Sequence, residues 1–140
     1  IQTTIFGYVN VPVDRTLMQH PKIYSVPSQT QATNSICKYL LQNLTRGMSY
    51  IVGPGTTTQA LLASMKIEGT LLGIDIVQDN TILYQDLNDP QLLRYAEKHP
   101  IKIIIGVIGG QGFLFGRGNQ QITAEVIKHA GKDNIIVILV

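Results

Sequence analysis

The chain is short of charge and of cysteine, and it has no long apolar run. Only 14% of its 140 residues are charged, against about a quarter in a typical soluble domain, while 44% are hydrophobic. This balance argues against a disordered segment, and it indicates that part of the surface contacts another protein. The longest apolar runs, 103–108 and 135–140, are far too short to cross a bilayer, so no membrane association is expected.

Other absences argue against whole classes of function. The net charge is +2 and Lys and Arg form no run, so a nucleic-acid-binding surface is not expected. The single cysteine, Cys37, allows no intrachain disulfide, which agrees with a reducing, cytoplasmic compartment. The histidines are isolated, so no metal site is expected, and there is no Gly-x-Ser-x-Gly elbow for a serine nucleophile.

Hydrophobic spacing and turn residues predict an α/β fold. Apolar runs of strand length alternate with helical patterns, which implies right-handed crossovers, a mostly parallel sheet and helices on both faces in three layers. The predicted strands are 48–52, 71–77, 82–84, 101–108 and 135–140. The predicted helices begin near Ser28, Thr56, Asn88 and Thr123 and end near Gly47, Met65, His99 and Gly131.

We expect a single domain, 1–140, that belongs to a longer protein. Residues 1–27 contain a strand-like run and then three prolines, which indicates an N-terminal strand with an extended connector. Residues 28–140 contain the α/β core. The first residue is not Met and the last residues form an apolar strand, so we expect the chain to be a piece of a longer protein.

A first glycine-rich segment, 53–58, is a candidate for holding a phosphorylated ligand. It ends a predicted strand and begins a helix, and its candidate residues are Gly53, Gly55, Thr56, Thr57 and Thr58. Ligands of open α/β sheets bind beyond the carboxyl ends of strands, where glycines let the backbone approach closely. The helix N-terminus adds free N–H groups and a partial positive charge. No lysine follows, so this is not a Walker loop. The alternative is a tight turn capped by Thr56.

A second glycine-rich segment, 109–121, has five glycines among its first ten residues. Ordering so many glycines costs entropy, which indicates that the backbone geometry is needed. Arg117 can hold a phosphate with two parallel bonds, and the amides that follow it can bond a ribose or a base edge. Phe113 and Phe115 either anchor the loop in the core or stack on a ring; the alternative is a flexible surface loop. The candidate residues are Gly109, Gly110, Gln111, Gly112, Arg117, Asn119 and Gln120.

Asp75 interrupts a predicted apolar strand and is the candidate catalytic residue. A buried carboxylate is costly unless it is paired, and such a group can act as a general base or contact a metal or ribose. The alternative is that Asp75 faces solvent at the end of its strand. Asp86 and Asn88 follow the next strand, and they either point into the same crevice or serve as turn and N-cap residues.

Four segments in this order carry a resemblance to a known family: Gly53-Pro54-Gly55-Thr56-Thr57-Thr58, Leu71-Leu72-Gly73-Ile74-Asp75, Asp86-Leu87-Asn88 and the whole of 109–121. Together with 6–12, they resemble the C-terminal domain of the predicted ATP-NAD kinase (polyphosphate/ATP-NAD kinase-like) family, to which the acetoin-catabolism protein X group is related. The resemblance implies a cytoplasmic bacterial or archaeal protein. It also implies an enzyme that phosphorylates the ribose 2′-hydroxyl of NAD, using ATP or polyphosphate with Mg²⁺.

The chain departs from that family in one respect. The family's nucleotide motif, Gly-Gly-Asp-Gly followed by Thr, lies in an N-terminal domain and is not found in these 140 residues. The resemblance therefore implies that the N-terminal domain of the same chain supplies the donor machinery, and that this piece alone is inactive. The expected partners are NAD or ATP, that domain, and further copies in a homo-oligomer.

A second likeness covers only 50–62. A strand followed by Gly-x-Gly-Thr-Thr and a helix is similar to the ribose-phosphate isomerases, glucosamine-phosphate deaminases and sugar-sensing repressors, which hold sugar phosphates on that loop. Two alternatives to the kinase domain therefore stay open. One is a non-catalytic module that senses a sugar phosphate or nucleotide, and the other is an oligomerisation domain.

Overall fold

A computed structural model describes residues 30–107 and 113–139. Within these ranges the chain forms helices α1 (Thr30–Asn43), α2 (Thr56–Ser64), α3 (Asp89–Lys98) and α4 (Ala124–Ala130) and a short 3₁₀ helix (Lys132–Asn134). It also forms strands β1 (Ser49–Val52), β2 (Asp75–Gln78), β3 (Thr81–Tyr84), β4 (Ile101–Gly106) and β5 (Ile135–Ile138). The predicted N-terminal strand and connector, 1–27, lie outside the described residues, as do Gly109, Gly110, Gln111 and Gly112.

The five strands form one mixed sheet in the order β3-β2-β1-β4-β5. β4 lies parallel to both β1 and β5, whereas β2 lies antiparallel to both β1 and β3. The α/β class is therefore confirmed, and the expectation of a mostly parallel sheet is corrected, because only one half of the sheet is parallel.

The antiparallel half has a local cause. β2 and β3 are joined by a two-residue turn, Asp79-Asn80, with φ of 51° and 59°. Positive φ at both central residues matches the right-handed twist of a hairpin, and Asp and Asn tolerate that backbone better than most residues do. A hairpin so short leaves β3 no direction except antiparallel to β2.

Two separate cores lie on opposite faces of the sheet. Ile51 and Ile103 join one core together with residues of α3 and α4, while Tyr50 and Val52 join the other together with residues of α1 and α2. Successive side chains of a strand point to opposite faces, which is why neighbouring residues of β1 enter different cores. Helices thus contribute to the core on each face; the full three-layer arrangement stays a prediction.

The start of α3 follows directly from its sequence. The side chain of Asn88 accepts a hydrogen bond from Gln91 N at 3.0 Å, and the side chain of Gln91 accepts one from Asn88 N at 3.1 Å. This capping box satisfies two backbone donors of the first turn, where Pro90 adds a favourable φ. Of the two interpretations of Asn88, the N-cap is confirmed. None of the helices within the described ranges is long and apolar enough to cross a membrane.

Candidate functional site

Both glycine-rich segments leave the sheet at the same edge. β1 and β4 are parallel neighbours, so their carboxyl ends lie side by side. Gly53, directly after β1, extends the pairing by donating its N–H to the carbonyl of Ile104 at 2.9 Å. β4 ends at Gly106, three residues before the second segment. This edge is the place where open α/β sheets bind ligands.

The first segment brings the N-terminus of α2 to this edge. Gly55 is the N-cap residue, with φ 129° and ψ 166°, and no side chain caps the helix. Such a backbone is almost confined to glycine. The first helical bond runs from Gln59 N to the carbonyl of Gly55, so the N–H groups of Thr56, Thr57 and Thr58 precede it. Thr56 is therefore not the cap that the alternative interpretation required.

The three threonines differ in what they offer. The hydroxyl of Thr58 donates to the carbonyl of Gly55 at 3.0 Å, and this residue is buried, so it holds the turn. Thr56 is exposed and Thr57 half-buried. A Cβ atom added to Gly106 would lie 3.6 Å from Cβ and 3.9 Å from Oγ1 of Thr57. The end of β4 therefore lies directly beside the first turn of α2.

The described part of the second segment is a loop that is held closed by hydrogen bonds of the Asn119 side chain. Asn119 is 3% exposed; its Nδ2 donates to the carbonyl of Leu114 at 2.8 Å and its Oδ1 accepts from Gly116 N at 2.8 Å. Gly116 and Gly118 have φ of 95° and 78°, which favours glycine at both positions. The amide of Asn119 thus holds the loop together, and its predicted role in reading a ligand stays a prediction.

Some of the other side chains of this loop pack against the protein, and others are exposed to solvent. Phe115 packs against the core of α3 and α4, so the prediction that it anchors the loop is confirmed. Phe113 is 72% exposed. Arg117 is half-buried and makes contacts within the protein, and Gln120 is exposed.

Within the part of the chain that the structure describes, two buried amide atoms have no hydrogen-bond partner, and the sequence analysis did not single out the first of them. They are Nε2 of Gln59, in the first turn of α2, and Oε1 of Gln121, at the end of the second segment. An unpartnered buried polar atom is uncommon in native proteins and needs an explanation. The only sequence signal for Gln59 is its polar side chain between Thr58 and the apolar run of α2.

Asp75 is the first residue of β2, and its carboxylate is enclosed by the protein. The residue is 1% exposed, and it lies opposite Val52 in the antiparallel register of β1 and β2. Oδ2 accepts from Thr70 N at 2.6 Å, while Oδ1 accepts from Thr70 Oγ1 at 2.6 Å and from Asp86 N at 3.0 Å. The alternative in which Asp75 faces solvent is therefore wrong. These donors compensate the burial of the carboxylate; its catalytic role stays a prediction.

The part of the chain that the structure describes contains no group of three or more His, Cys, Asp and Glu side chains able to hold a metal ion. Asp75, which lies opposite Val52 at the end of β1, already accepts three hydrogen bonds.

A cavity of about 340 Å³ lies on the side of the sheet that carries α1 and α2, and its lining reaches from Asp79 to Val52 and Ile104, which adjoin Gly53. Its lining includes Leu44, Tyr50, Val77 and Asp79 and none of the described candidate residues. The candidate site is instead the open edge formed by Gly53, the first turn of α2 and the end of β4.

Comparison with known families gives a match that covers about two thirds of the chain. A family model described as ATP-NAD kinase C-terminal domain matches residues 45–139, which include both glycine-rich segments and Asp75. Neither the search of curated proteins nor the search of solved structures gives a match. The family match covers well over half of the chain and confirms the resemblance. The chain belongs to the family of ATP-NAD kinase C-terminal domains.

Proposed function

We propose that this chain is the substrate-side domain of an NAD kinase and that it holds a phosphate of a nucleotide at the N-terminus of α2. One observation carries the proposal: the parallel pairing of β1 and β4 places the first turn of α2, whose N-cap is Gly55, beside Gly106 at the end of β4. The family match supports the nucleotide.

The residues of the first segment would act mainly by binding and orienting. A phosphate at this edge would accept hydrogen bonds from the N–H groups of Thr56 and Thr57, and the dipole of α2 would favour its negative charge. Arg117 would neutralise further phosphate charge. Phosphoryl transfer relies chiefly on positioning and charge stabilisation, and here it would proceed from ATP or polyphosphate to the ribose 2′-hydroxyl, giving NADP.

The remaining machinery would come from outside this chain segment. Because the described residues contain no group of three or more His, Cys, Asp and Glu side chains able to hold a metal ion, the N-terminal domain and the nucleotide phosphates would supply most ligands of the Mg²⁺. The Gly-Gly-Asp-Gly motif of the family would belong to an N-terminal domain of the same chain, and the isolated piece would bind ligand without turnover. We place the full-length enzyme in the cytoplasm.

A second candidate function, contact with another protein surface, has its own support. Phe113 and Leu139 are 72% and 70% exposed, and Leu71 is 51% exposed. Large exposed apolar side chains are typical of interfaces when they form a patch. An oligomer interface or the contact with the N-terminal domain would cover them. No feature of the described residues specifically favours the third alternative, a non-catalytic module that senses a sugar phosphate or nucleotide.

Calorimetric titration of the protein with NAD, NADP, ATP and ribose 5-phosphate tests the proposal. We expect NAD and ATP to bind, with affinity about tenfold or more lower in Arg117→Ala, because a hydrogen bond to a charged group contributes roughly 1.5–3 kcal/mol. Arg94→Ala is the matched control, since Arg94 lies on α3 and its side chain donates to the carbonyl of Pro90 in the same helix. Binding of ribose 5-phosphate alone would favour the sugar-phosphate module, and equal losses in the two variants would remove Arg117 from the site.

A further inference from the structure

A chain of hydrogen bonds joins the buried carboxylate of Asp75 to the first glycine-rich segment. Asp75 holds Thr70 through both the backbone N–H and the hydroxyl, each at 2.6 Å. The carbonyl of the next residue, Leu71, accepts from Gly55 N at 3.0 Å. Because Gly55 is the N-cap of α2, the place of the Leu71 carbonyl affects where the helix begins and where its first N–H groups point.

The backbone between α2 and β2 packs closely against its neighbours at Gly69 and Gly73. A Cβ atom on Gly69 would lie 2.7 Å from Oδ2 of Asp75, and it would meet the side chain of Leu62 on α2 even more closely. A Cβ atom on Gly73 would lie 2.5 Å from both Oδ1 of Asp86 and Oγ1 of Thr70. Glycines on both sides of Thr70 thus let this segment pack around the carboxylate, with no room for a methyl group.

The chemistry of these contacts requires a carboxylate rather than an amide. Both oxygens of Asp75 receive hydrogen bonds, and an ionised carboxylate is acceptor-only on both. In Asp75→Asn, one of the two positions becomes an NH₂ group that faces a donor. The amide therefore loses at least one bond and sets two donors against each other.

We propose that Asp75 is a positioning residue, whose carboxylate holds Thr70 and, through the Leu71 carbonyl and the Gly55 amide, orients the first turn of α2 toward the phosphate. It does not itself touch the ligand. This inference rests on the proposed function, since it concerns the same site. It gives the buried acid of β2 a role that needs no proton transfer and no metal.

Amide hydrogen exchange followed by NMR tests the positioning step without any ligand. In Asp75→Asn we expect the Gly55 amide to exchange at least about tenfold faster relative to the Val107 amide, which bonds Ile138 across the parallel half of the sheet. Asp79→Asn is the matched control, because Asp79 follows the same strand and also accepts a backbone bond, from Gly47 N at 2.8 Å. That control should leave Gly55 unchanged. If the two amides respond equally in Asp75→Asn, Asp75 has only a general structural role and the inference fails.

Calorimetry with ATP as the probe tests the consequence for binding. We expect the affinity to fall about tenfold or more in Asp75→Asn and to stay within about twofold in Asp79→Asn. Faster exchange at Gly55 with unchanged ATP affinity would overturn the positioning role. If the unaltered protein binds no ATP, the proposed function fails, and the exchange result still decides whether Asp75 orients Gly55. Thr70→Val, which removes one donor and keeps the carboxylate, should give a smaller shift in the same direction and serves if Asp75→Asn does not fold.

Discussion

Replacement of Gly55 by alanine tests whether the backbone of the first glycine-rich segment needs glycine. Gly55 has φ 129° and ψ 166°, a region that side-chain-bearing residues almost never occupy. Space does not limit the change, since the nearest atom to an added Cβ is Oγ1 of Thr58 at 3.9 Å. Any loss of stability must therefore come from the backbone, and such strain costs about 1–3 kcal/mol.

The expected size of the effect can be expressed as a melting temperature. An entropy of unfolding of roughly 2.1 cal/mol/K per residue gives about 0.3 kcal/mol/K for a chain of this length, so 1 kcal/mol corresponds to about 3 °C. Gly55→Ala should then lower Tm by about 3–10 °C. If the strained backbone instead relaxes, the turn before α2 shifts, and ATP affinity falls while the loss of stability is smaller.

Gly106→Ala is the matched control for this prediction. Gly106 lies at the same edge, but its backbone is that of a strand and an added Cβ would make only ordinary contact with Thr57, at 3.6 Å. Removing the freedom of glycine from the unfolded chain at a compatible site stabilises by about 0.4–1 kcal/mol. The free energies of unfolding come from urea denaturation followed by circular dichroism. Equal values for the two variants would refute the role assigned to the backbone of Gly55.

Three further predictions concern stability. Asn88→Ala removes the bond that Gln91 N donates to the Asn88 side chain and should lower the free energy of unfolding by about 1 kcal/mol, measured by urea denaturation; no change would mean that α3 needs no side-chain cap. Leu92→Ala empties a site that is 0% exposed and should cost about 2–5 kcal/mol in the same assay, and a value under about 1 kcal/mol would contradict the core on that face. Burial raises the pKa of the Cys37 thiol above its ordinary value of 9.0, although a hydrogen bond with Ser64 opposes this. Since the folded pKa is the higher one, the protonated thiol contributes stability to the folded state. This contribution is fully present below pH 9.0 and is lost as the pH rises through the folded pKa. Iodoacetamide should modify Cys37 slowly at pH 8 until urea unfolds the protein, and equal rates with and without urea would refute its burial.

Much of the fold follows from short-range sequence signals. The apolar strand predicted at 101–108 and the helix predicted from Thr56 to Met65 agree with β4 and α2 to within one or two residues. The direction of β2 could not be predicted in that way. Pairing direction depends on how the long segment between α2 and β2 folds back, and that segment is shaped by contacts distant in sequence, such as Gly73 against Asp86. Only Asp79 and Asn80 separate β2 from β3, and a connection of two turn-forming residues is a sequence signal for an antiparallel hairpin.

The part of the candidate site that depends only on the direction of neighbouring strands can be predicted. Parallel neighbours must end at one edge, so the meeting of Gly53 and the end of β4 could be expected from the strand order. The roles of Asp75 and Asn119 could not. Each side chain bonds backbone groups that are close in sequence. The residue type alone does not show whether an Asp or Asn side chain bonds the protein's own backbone or a ligand. Leu71, predicted in a strand, instead lies in the loop and is 51% exposed.

The most direct test of the phosphate site is an NMR titration of the ¹⁵N-labelled protein with ATP and, separately, with NAD. A phosphate at the N-terminus of α2 predicts saturable shifts of the amide signals of Gly55, Thr56 and Thr57, with the amide of Leu92 on α3 unmoved. Shifts confined to residues that line the cavity on the other side of Val52 from Gly53, such as Tyr50 and Asp79, would contradict the assignment of the site. Absence of any saturable shift with either nucleotide would contradict the proposal that this domain holds a phosphorylated ligand.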